Sequence, residues 1–332
     1  MKILLDHHQP FRLAHGGLQL QIERTRAALA ARGVEIEPLR WWDAEQRCDL
    51  IHFYGVPSPG YLHQAKLRRV PVTLTPILSE TCNRPRWRLA AQRFLQRLLL
   101  ALPAGEGVKQ QLNWRSFRAA AHHVVGLEAE RQVLQVVHRV PAAAISVVPL
   151  GVTEAFLNAG PGSRAGDHLI CPGTITDAKN PVLLAETARA AQVPVLFVGR
   201  AFAEADPCWQ RFQELVDGRC VRHHAHVERE AEMVALLHGA RGFVLASRYE
   251  NWSLAAHEAA ACGLPLLLPD QPWSRERFGA EACYWRPGDA AALRRFHEEC
   301  VRLPAPRVKL FSWADVAAQL QAVYEAVLRN SR

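Results

Sequence analysis

The sequence predicts an α/β protein made of two doubly wound parallel sheets. Three observations lead there. At 332 residues the chain is about twice the length of a typical domain. Short apolar runs of four to seven residues alternate with helix-period segments along its whole length. Near the middle, NAGPGSRAGD (158–167) concentrates glycine, proline and small polar residues as an interdomain linker does.

In the first half KILL (2–5), VEIEPL (34–39), DLIHFY (49–54), VPVTLT (70–75), HHVVG (122–126) and ISVVPL (145–150) read as strands. Amphipathic stretches 17–32, 86–101 and 127–138 read as helices between them. In the second half the strands are HLIC (168–171), PVLFVG (194–199), GFVLAS (242–247), LPLLLP (264–269) and CYW (283–285). Helices are expected at 180–191, 228–240, 253–262 and 289–302. Strands with so little polar alternation are covered on both faces. The expected organisation is an N-terminal domain over 1–155, a second over 156–310 and a closing helical segment over 311–332. In the last, Trp313, Val316, Leu320, Val323 and Val327 share one face.

Composition excludes several classes. An apolar fraction of 49% with 22% charged residues belongs to a globular chain, not a disordered or collagenous one. Apolar runs such as LLLAL (98–102) fall far short of a membrane span, and no leader-like start is read. The eight cysteines lie at least 12 residues apart, which disfavours zinc knuckles and redox pairs and suggests buried thiols in a cytoplasmic protein. The net charge of +8 is concentrated in the first half, where residues 1–150 carry 20 Lys+Arg against 11 Asp+Glu. Between Glu80 and Glu128 the single acid Glu106 faces Arg84, Arg86, Arg88, Arg93, Arg97, Lys109, Arg115 and Arg118. That excess suits an anionic ligand or surface, or a solvated basic face.

The segment SRYENWSLAAHEAAACGLPLLLP (247–269) carries the strongest chemical signal. It leaves a buried strand, crosses a loop containing Glu250, enters a helix near Ser253 that contains Glu258, and exits through Gly263 and Pro265. Free N–H groups at such a helix start, with the helix dipole, attract a diphosphate. Carboxylates offer only acceptors, so the two glutamates suit sugar or ribose hydroxyls. The alternative is a glutamate placed for its dipole benefit and another on the surface.

This segment resembles the nucleotide-sugar site of the retaining glycosyltransferases of family 4, which have two glutamates separated by seven residues and a Gly-x-Pro exit. The resemblance implies a GT-B fold, in which two Rossmann-like domains face each other across a cleft. It implies that Glu250 touches donor-sugar hydroxyls, that Glu258 holds the nucleotide ribose, and that the N–H groups of Ser253 and Leu254 hold the diphosphate. Ser253 stands where the family usually has glycine. VVPLGVTEAF (147–156) resembles the family's interdomain segment, and CPGTITDAKNPVLLAETA (171–188) its first donor-domain strand, loop and helix. Lys179 matches one of the two cations there, while Thr174 occupies the position of the usual arginine; Arg248 or Arg200 could compensate. HGGLQLQIERTRAALAARG (15–33) resembles the loop over the diphosphate, through Gly16 and Gly17. Where the family often has Thr-x-His, TLTPILSE (73–80) has Pro76, so a histidine contact would fall to His7, His8, His15 or His52, each of which also reads as structural.

The implied reaction moves a hexose-type sugar from a nucleoside diphosphate to an acceptor hydroxyl with retention. Lys179 and the helix start stabilise the leaving group, and Glu250 orients the sugar. No cofactor beyond the donor substrate and no metal is expected: HHAH (223–226) lacks an acidic partner and a second histidine group. The acceptor would be a glycan, a lipid-linked sugar or another hydroxyl compound, in cell-surface glycan assembly. RWRLAAQRFLQRLLL (86–100) reads as a basic amphipathic helix, with Arg86, Arg93 and Arg97 on one stripe and Trp87, Ala91, Phe94, Leu95 and Leu98 on the next. Either it touches anionic lipid at the inner face of the plasma membrane, or it is a core-packing helix with a basic outside. Two rivals are a sugar-nucleotide-binding protein with impaired catalysis and a nucleic-acid binder; the latter lacks any recognition module, so no nucleic-acid partner is expected.

Overall fold

The computed structural model describes every residue except 9, 14, 102–112 and 332, so Glu106 and Lys109 of the basic stretch lie outside the described residues. The predicted α/β class is present as two six-stranded sheets, parallel at every pairing. Two compact units contain them. One comprises Met1–Phe11, Leu20–Leu150 and Trp313–Arg332; the other comprises Arg12–Gln19 and Gly151–Ser312.

The first unit carries β1 (Lys2–His7), β2 (Glu35–Pro38), β3 (Leu50–Tyr54), β4 (Val72–Thr75), β5 (His122–Val125) and β6 (Ile145–Val147), in the order β2-β1-β3-β4-β5-β6. Its crossovers include α1 (Gly17–Ala31), α2 (Pro59–Leu67), α3 (Arg86–Ala101), the short α4 (Ser116–Ala119) and α5 (Glu128–Val136). Central strands are buried on both faces, as with Ile3, Leu4, Leu5, Phe53 and Leu74.

The second unit opens with α6 (Glu154–Leu157) and carries β7 (Leu169–Pro172), β8 (Val195–Val198), β9 (Val221–His224), β10 (Gly242–Val244), β11 (Leu266–Pro269) and β12 (Cys283–Trp285). Its order is β12-β11-β10-β7-β8-β9. Between strands run α7 (Pro181–Ala191), α8 (Pro207–Leu215), α9 (Glu230–Gly239), α10 (Leu254–Ala261), α11 (Pro272–Phe278) and α12 (Ala290–Glu299). Phe197 and Phe212 meet edge to face at 4.9 Å inside a core that also contains Leu169, Val244, Leu267 and Trp285. Read outward from β7, this order is that of a dinucleotide-binding sheet. Its switch point falls between β7 and β10, where successive connections leave in opposite directions and open a crevice.

The last helix, α13 (Trp313–Ser331), belongs to the first unit. The Tyr324 hydroxyl lies 2.6 Å from Nδ1 of His52, and Arg32 Nε donates to Gln321 Oε1 at 3.0 Å. None of the eight cysteines is in a disulfide, and Cys82, Cys220, Cys262 and Cys300 are buried.

Candidate functional site

The switch point of the second sheet brings together the loops after β7 and β10. The first contains Thr174, Asp177 and Lys179; the second contains Arg248, Glu250 and Ser253. Backbone bonding ties the loops to each other. Arg248 N–H donates to the carbonyl of Ala178 at 2.9 Å, and Asn180 Nδ2 donates to that of Ala246 at 3.2 Å. Asn180 is buried and left-handed (φ 57°), a conformation asparagine tolerates better than most side chains. Further along, Trp285 Nε1 takes the carbonyl of Leu245 at 2.8 Å, while Gln271 Nε2 takes those of Ser247 and Arg248 at 3.3 and 2.9 Å. Four successive carbonyls are thus engaged, which fixes the path of 245–248.

On this frame Lys179 and Glu250 form an ion pair. The Glu250 side chain is only 8% exposed, against 38% for that of Lys179, so the pair presents its cationic end outward. Ser247 Oγ also donates to Glu250 Oε1, at 3.1 Å. A carboxylate buried this far needs such partners, because desolvation of the charge is otherwise costly. Arg248 is held more loosely, 3.1 Å from Asp177 with both side chains largely exposed.

Ser253 is the N-cap of α10, with its hydroxyl accepting from the N–H of Ala256 at 3.3 Å. Leu254 is the first helical residue, and Glu258 sits half-buried in the second turn. Three residues absent from the sequence-level reading brace this helix start. His257 Nδ1 donates to the Ser253 carbonyl at 2.7 Å, which leaves Nε2 to accept from Arg277 Nε at 3.4 Å. The His257 ring stacks on Trp252 at 4.6 Å, and the Arg277 guanidinium lies 4.3 Å from the Trp252 ring centroid. Burial lowers the His257 pKa to about 3, so the ring stays neutral and can accept. The helical spacing of Ser253 and His257 is legible in sequence; the stack with Arg277, from α11, is not.

Gly16 and Gly17 are also placed. Residues 12–19 belong to the second unit, and a Cβ on Gly16 (φ +130°) would come 3.1 Å from Thr174 Oγ1. Glycine therefore lets that backbone lie against the β7 loop. Gly17 is exposed and begins α1. Arg200, after β8, is exposed; it and His226 help burial lower the pKa of His15, whose ring meets Phe202 edge-on at 5.0 Å.

The other candidate histidines are engaged in the first unit. His52 is fully buried between Tyr324 and Thr75, at 2.6 and 2.7 Å. His8 Nε2 contacts the Val56 carbonyl at 3.0 Å, and His7 stacks on Phe11 at 4.6 Å. HHAH starts inside β9, where His223 Nε2 bonds the Gly199 carbonyl at 2.9 Å.

The β7 and β8 loops approach closely at two glycines and are tied by the Ile175 N–H, which donates to the Arg200 carbonyl at 3.0 Å. A Cβ on Gly199 would lie 2.0 Å from the Gly173 carbonyl oxygen, whereas one on Gly173 would meet nothing within 4 Å. Gly199→Ala is expected to destabilise the second unit by about 2–4 kcal/mol, and Gly173→Ala by about 1 kcal/mol from backbone strain. Urea unfolding of the two variants checks this; a wild-type midpoint for Gly199→Ala would mean the loops part freely. A cavity of about 680 Å³ opens nearby, lined among others by Asp177, Asn180, Pro181, Asp206, Pro207 and Arg248. Lys179, Glu250, Ser253 and Glu258 are not part of its lining.

Residues 166–301 match the family described as Glycosyl transferases group 1. A glycogen synthase of Mycobacterium tuberculosis is 35% identical over 127 residues, 34% of this chain and 30% of its own length. The chain thus matches less than a third of the length of its curated relatives. Among solved structures, the sucrose-phosphate synthase from Thermosynechococcus elongatus has a TM-score of 0.66 at 16% identity, covering 99% of this chain and 100% of that one. Anabaena HepE in complex with UDP-glucose has a TM-score of 0.64 at 13% identity, covering 100% and 98%. At these identities the structural likeness establishes the two-domain α/β fold, that of the GT-B proteins. The sequence match to the glycosyl transferases of group 1 covers residues 166–301.

Proposed function

We propose that the protein is a retaining glycosyltransferase that moves a hexose-type sugar from a nucleoside diphosphate to an acceptor hydroxyl. The carrying observation is the Lys179–Glu250 pair at the switch point of the second sheet, with Glu250 on the loop that leads into the capped start of α10. It lies within the residues matched to the glycosyltransferase family. The UDP-glucose bound by HepE supports a nucleotide sugar as the donor class.

In this reading the diphosphate docks at the N-terminus of α10, on the N–H groups of Ser253 and Leu254, with Lys179 beside it. Ser253 already spends its hydroxyl on Ala256, so it serves the ligand through its backbone. Breaking the anomeric bond builds negative charge on the departing diphosphate, and preorganised donors stabilise that charge without reorganising. Ligand entry draws Lys179 toward phosphate and frees Glu250 to accept from sugar hydroxyls. Glu258 takes the ribose hydroxyls. Arg248 supplies the second cation that Thr174 does not, and Gly16 and Gly17 keep a close backbone approach open above it. The acceptor hydroxyl attacks from the leaving-group side, and a phosphate oxygen takes its proton. Cell-surface glycan or glycolipid assembly is the fitting role, with a glycan or lipid-linked acceptor.

A thermal-shift screen over nucleoside diphosphates and their glucose esters tests the donor site, because a ligand of the folded state raises its melting temperature. The shift should vanish in Glu258→Ala. In Glu250→Ala the nucleoside diphosphate shift should persist while transfer is lost. Equal loss of both properties in Glu250→Ala would contradict the sugar-orienting role. A shift in the wild type with no transfer or donor hydrolysis would instead favour a sugar-nucleotide-binding protein with impaired catalysis, the reading that Thr174 and Pro76 motivate.

A further inference from the structure

The helix α3 turns its apolar face away from the protein. Leu89 and Gln96 are buried and define the inward side, against the layer that contains α5. Trp87, Phe94, Leu95 and Leu98 are 66%, 71%, 53% and 50% exposed, and Ala91 among them is exposed as well. At about 100° per residue these five fall within one arc of about 100°, roughly opposite the Leu89–Gln96 side. The core-packing alternative for 86–100 holds for Leu89 but not for Trp87, Phe94, Leu95 and Leu98, which lie outside the core.

Cations flank this arc on both sides. Arg86, Arg93 and Arg97 line one border and Arg88 the other, with the Arg88 guanidinium 5.1 Å over the Trp87 ring. Chain folding adds two more from elsewhere in the sequence. Arg139, left-handed at φ 57° just beyond α5, has its pKa lowered chiefly by Arg93, then by Arg97, and further by Arg118 of α4. Arg93, Arg97 and Arg118 thus lie close enough to Arg139 to disfavour its charge, which concentrates positive charge on this side of the unit. The helix itself contains no acidic residue.

We infer that this face of α3 is a docking surface for an anionic phospholipid bilayer, on which the helix lies flat. Trp87, Phe94, Leu95 and Leu98 enter the boundary between headgroups and acyl chains, and the arginines on either border meet lipid phosphates. An apolar arc bordered by cations is complementary to that boundary, where apolar tails adjoin negative headgroups. A partner protein's apolar groove would match the arc but not the cationic borders. No helix among the described residues is long and apolar enough to cross a membrane, so the contact is a surface one. This inference stands independently of the proposed transfer reaction.

The test is flotation of the full chain with vesicles of three parts phosphatidylcholine to one part phosphatidylglycerol, compared with phosphatidylcholine alone. Binding should favour the anionic vesicles and weaken as salt rises. Arg86→Gln/Arg97→Gln should lower partitioning roughly thirtyfold. Phe94→Ser/Leu98→Ser should lower it at least as far. The side chains of Arg86, Arg97, Phe94 and Leu98 are all solvent-exposed, so the variants should keep the wild-type melting temperature. Binding that ignores lipid charge, or that both variants retain, would overturn the inference. So would a wild-type dimer that Phe94→Ser/Leu98→Ser dissociates without any vesicle binding, since a second copy would then be the occupant.

Discussion

Under the proposed function, Lys179→Met should lower sugar transfer about 10²–10³-fold, the range expected when one preorganised donor to a developing anion is removed. The same substitution destabilises the second unit, because Glu250 keeps a nearly buried carboxylate and loses its cation. An uncompensated charge at such a site costs about 1–3 kcal/mol. Adding Glu250→Gln should restore most of that stability: the neutral amide oxygen still accepts from Ser247, and no charge is left to solvate. Transfer should stay low in the double variant. Urea unfolding together with initial transfer rates separates the two effects. Full transfer by Lys179→Met would remove the leaving-group role, and a double variant as unstable as the single one would mean that the pair is not the source of the instability.

Acidification from pH 6.5 to about 4 should destabilise the protein, before most carboxylates take up protons. Burial lowers the pKa of His52 to about 3, and of His123 and His138 to about 4, all three in the first unit. His257 in the second unit reaches about 3. The rings of His123 and His138 both stack on Phe117, at 6.2 and 3.7 Å, and His123 disfavours a charge on His138. These folded-state values lie below the ordinary value of 6.5, so the unfolded chain binds protons first as pH falls. Stability is therefore constant above pH 6.5 and declines below it until the folded-state pKa is reached. Each fully buried ring contributes up to about 2 kcal/mol of loss at pH 5. Denaturant unfolding at pH 7 and pH 5 should show the decline, and His138→Phe should reduce it. A variant whose stability falls as steeply as the wild type's would relieve His138 of this role.

Much of the fold was legible because buried parallel strands are apolar on both faces. Eleven of the strands coincide with apolar runs, from KILL to CYW. The strand that was not read is β9 (Val221–His224), at the edge of its sheet. An edge strand keeps solvent on one side, and VRHH has no apolar run to announce it. Three helices of useful length were also missed, α2, α8 and α11. All start with proline as the first helical residue, after Ser58, Asp206 and Gln271. That cap-then-proline signal was present in the sequence. Helical periodicity is weak over seven to nine residues, which is why a reading based on period passed over them.

The site divides in the same way. Glu250, Ser253 and Glu258 lie close in sequence on one loop and helix, so their spacing alone placed them near a common helix start. Lys179 was identified by resemblance, but its pairing with a carboxylate 71 residues away follows from strand order, since β7 and β10 are neighbours at the switch point. Only tertiary packing could decide which face of α3 meets the protein. A helical wheel finds an apolar stripe but not what covers it, and here the core takes Leu89 and leaves Trp87 and Phe94 outside. Local periodicity is written in the order of residues; the partner of each face is set by which distant elements the sheet brings alongside.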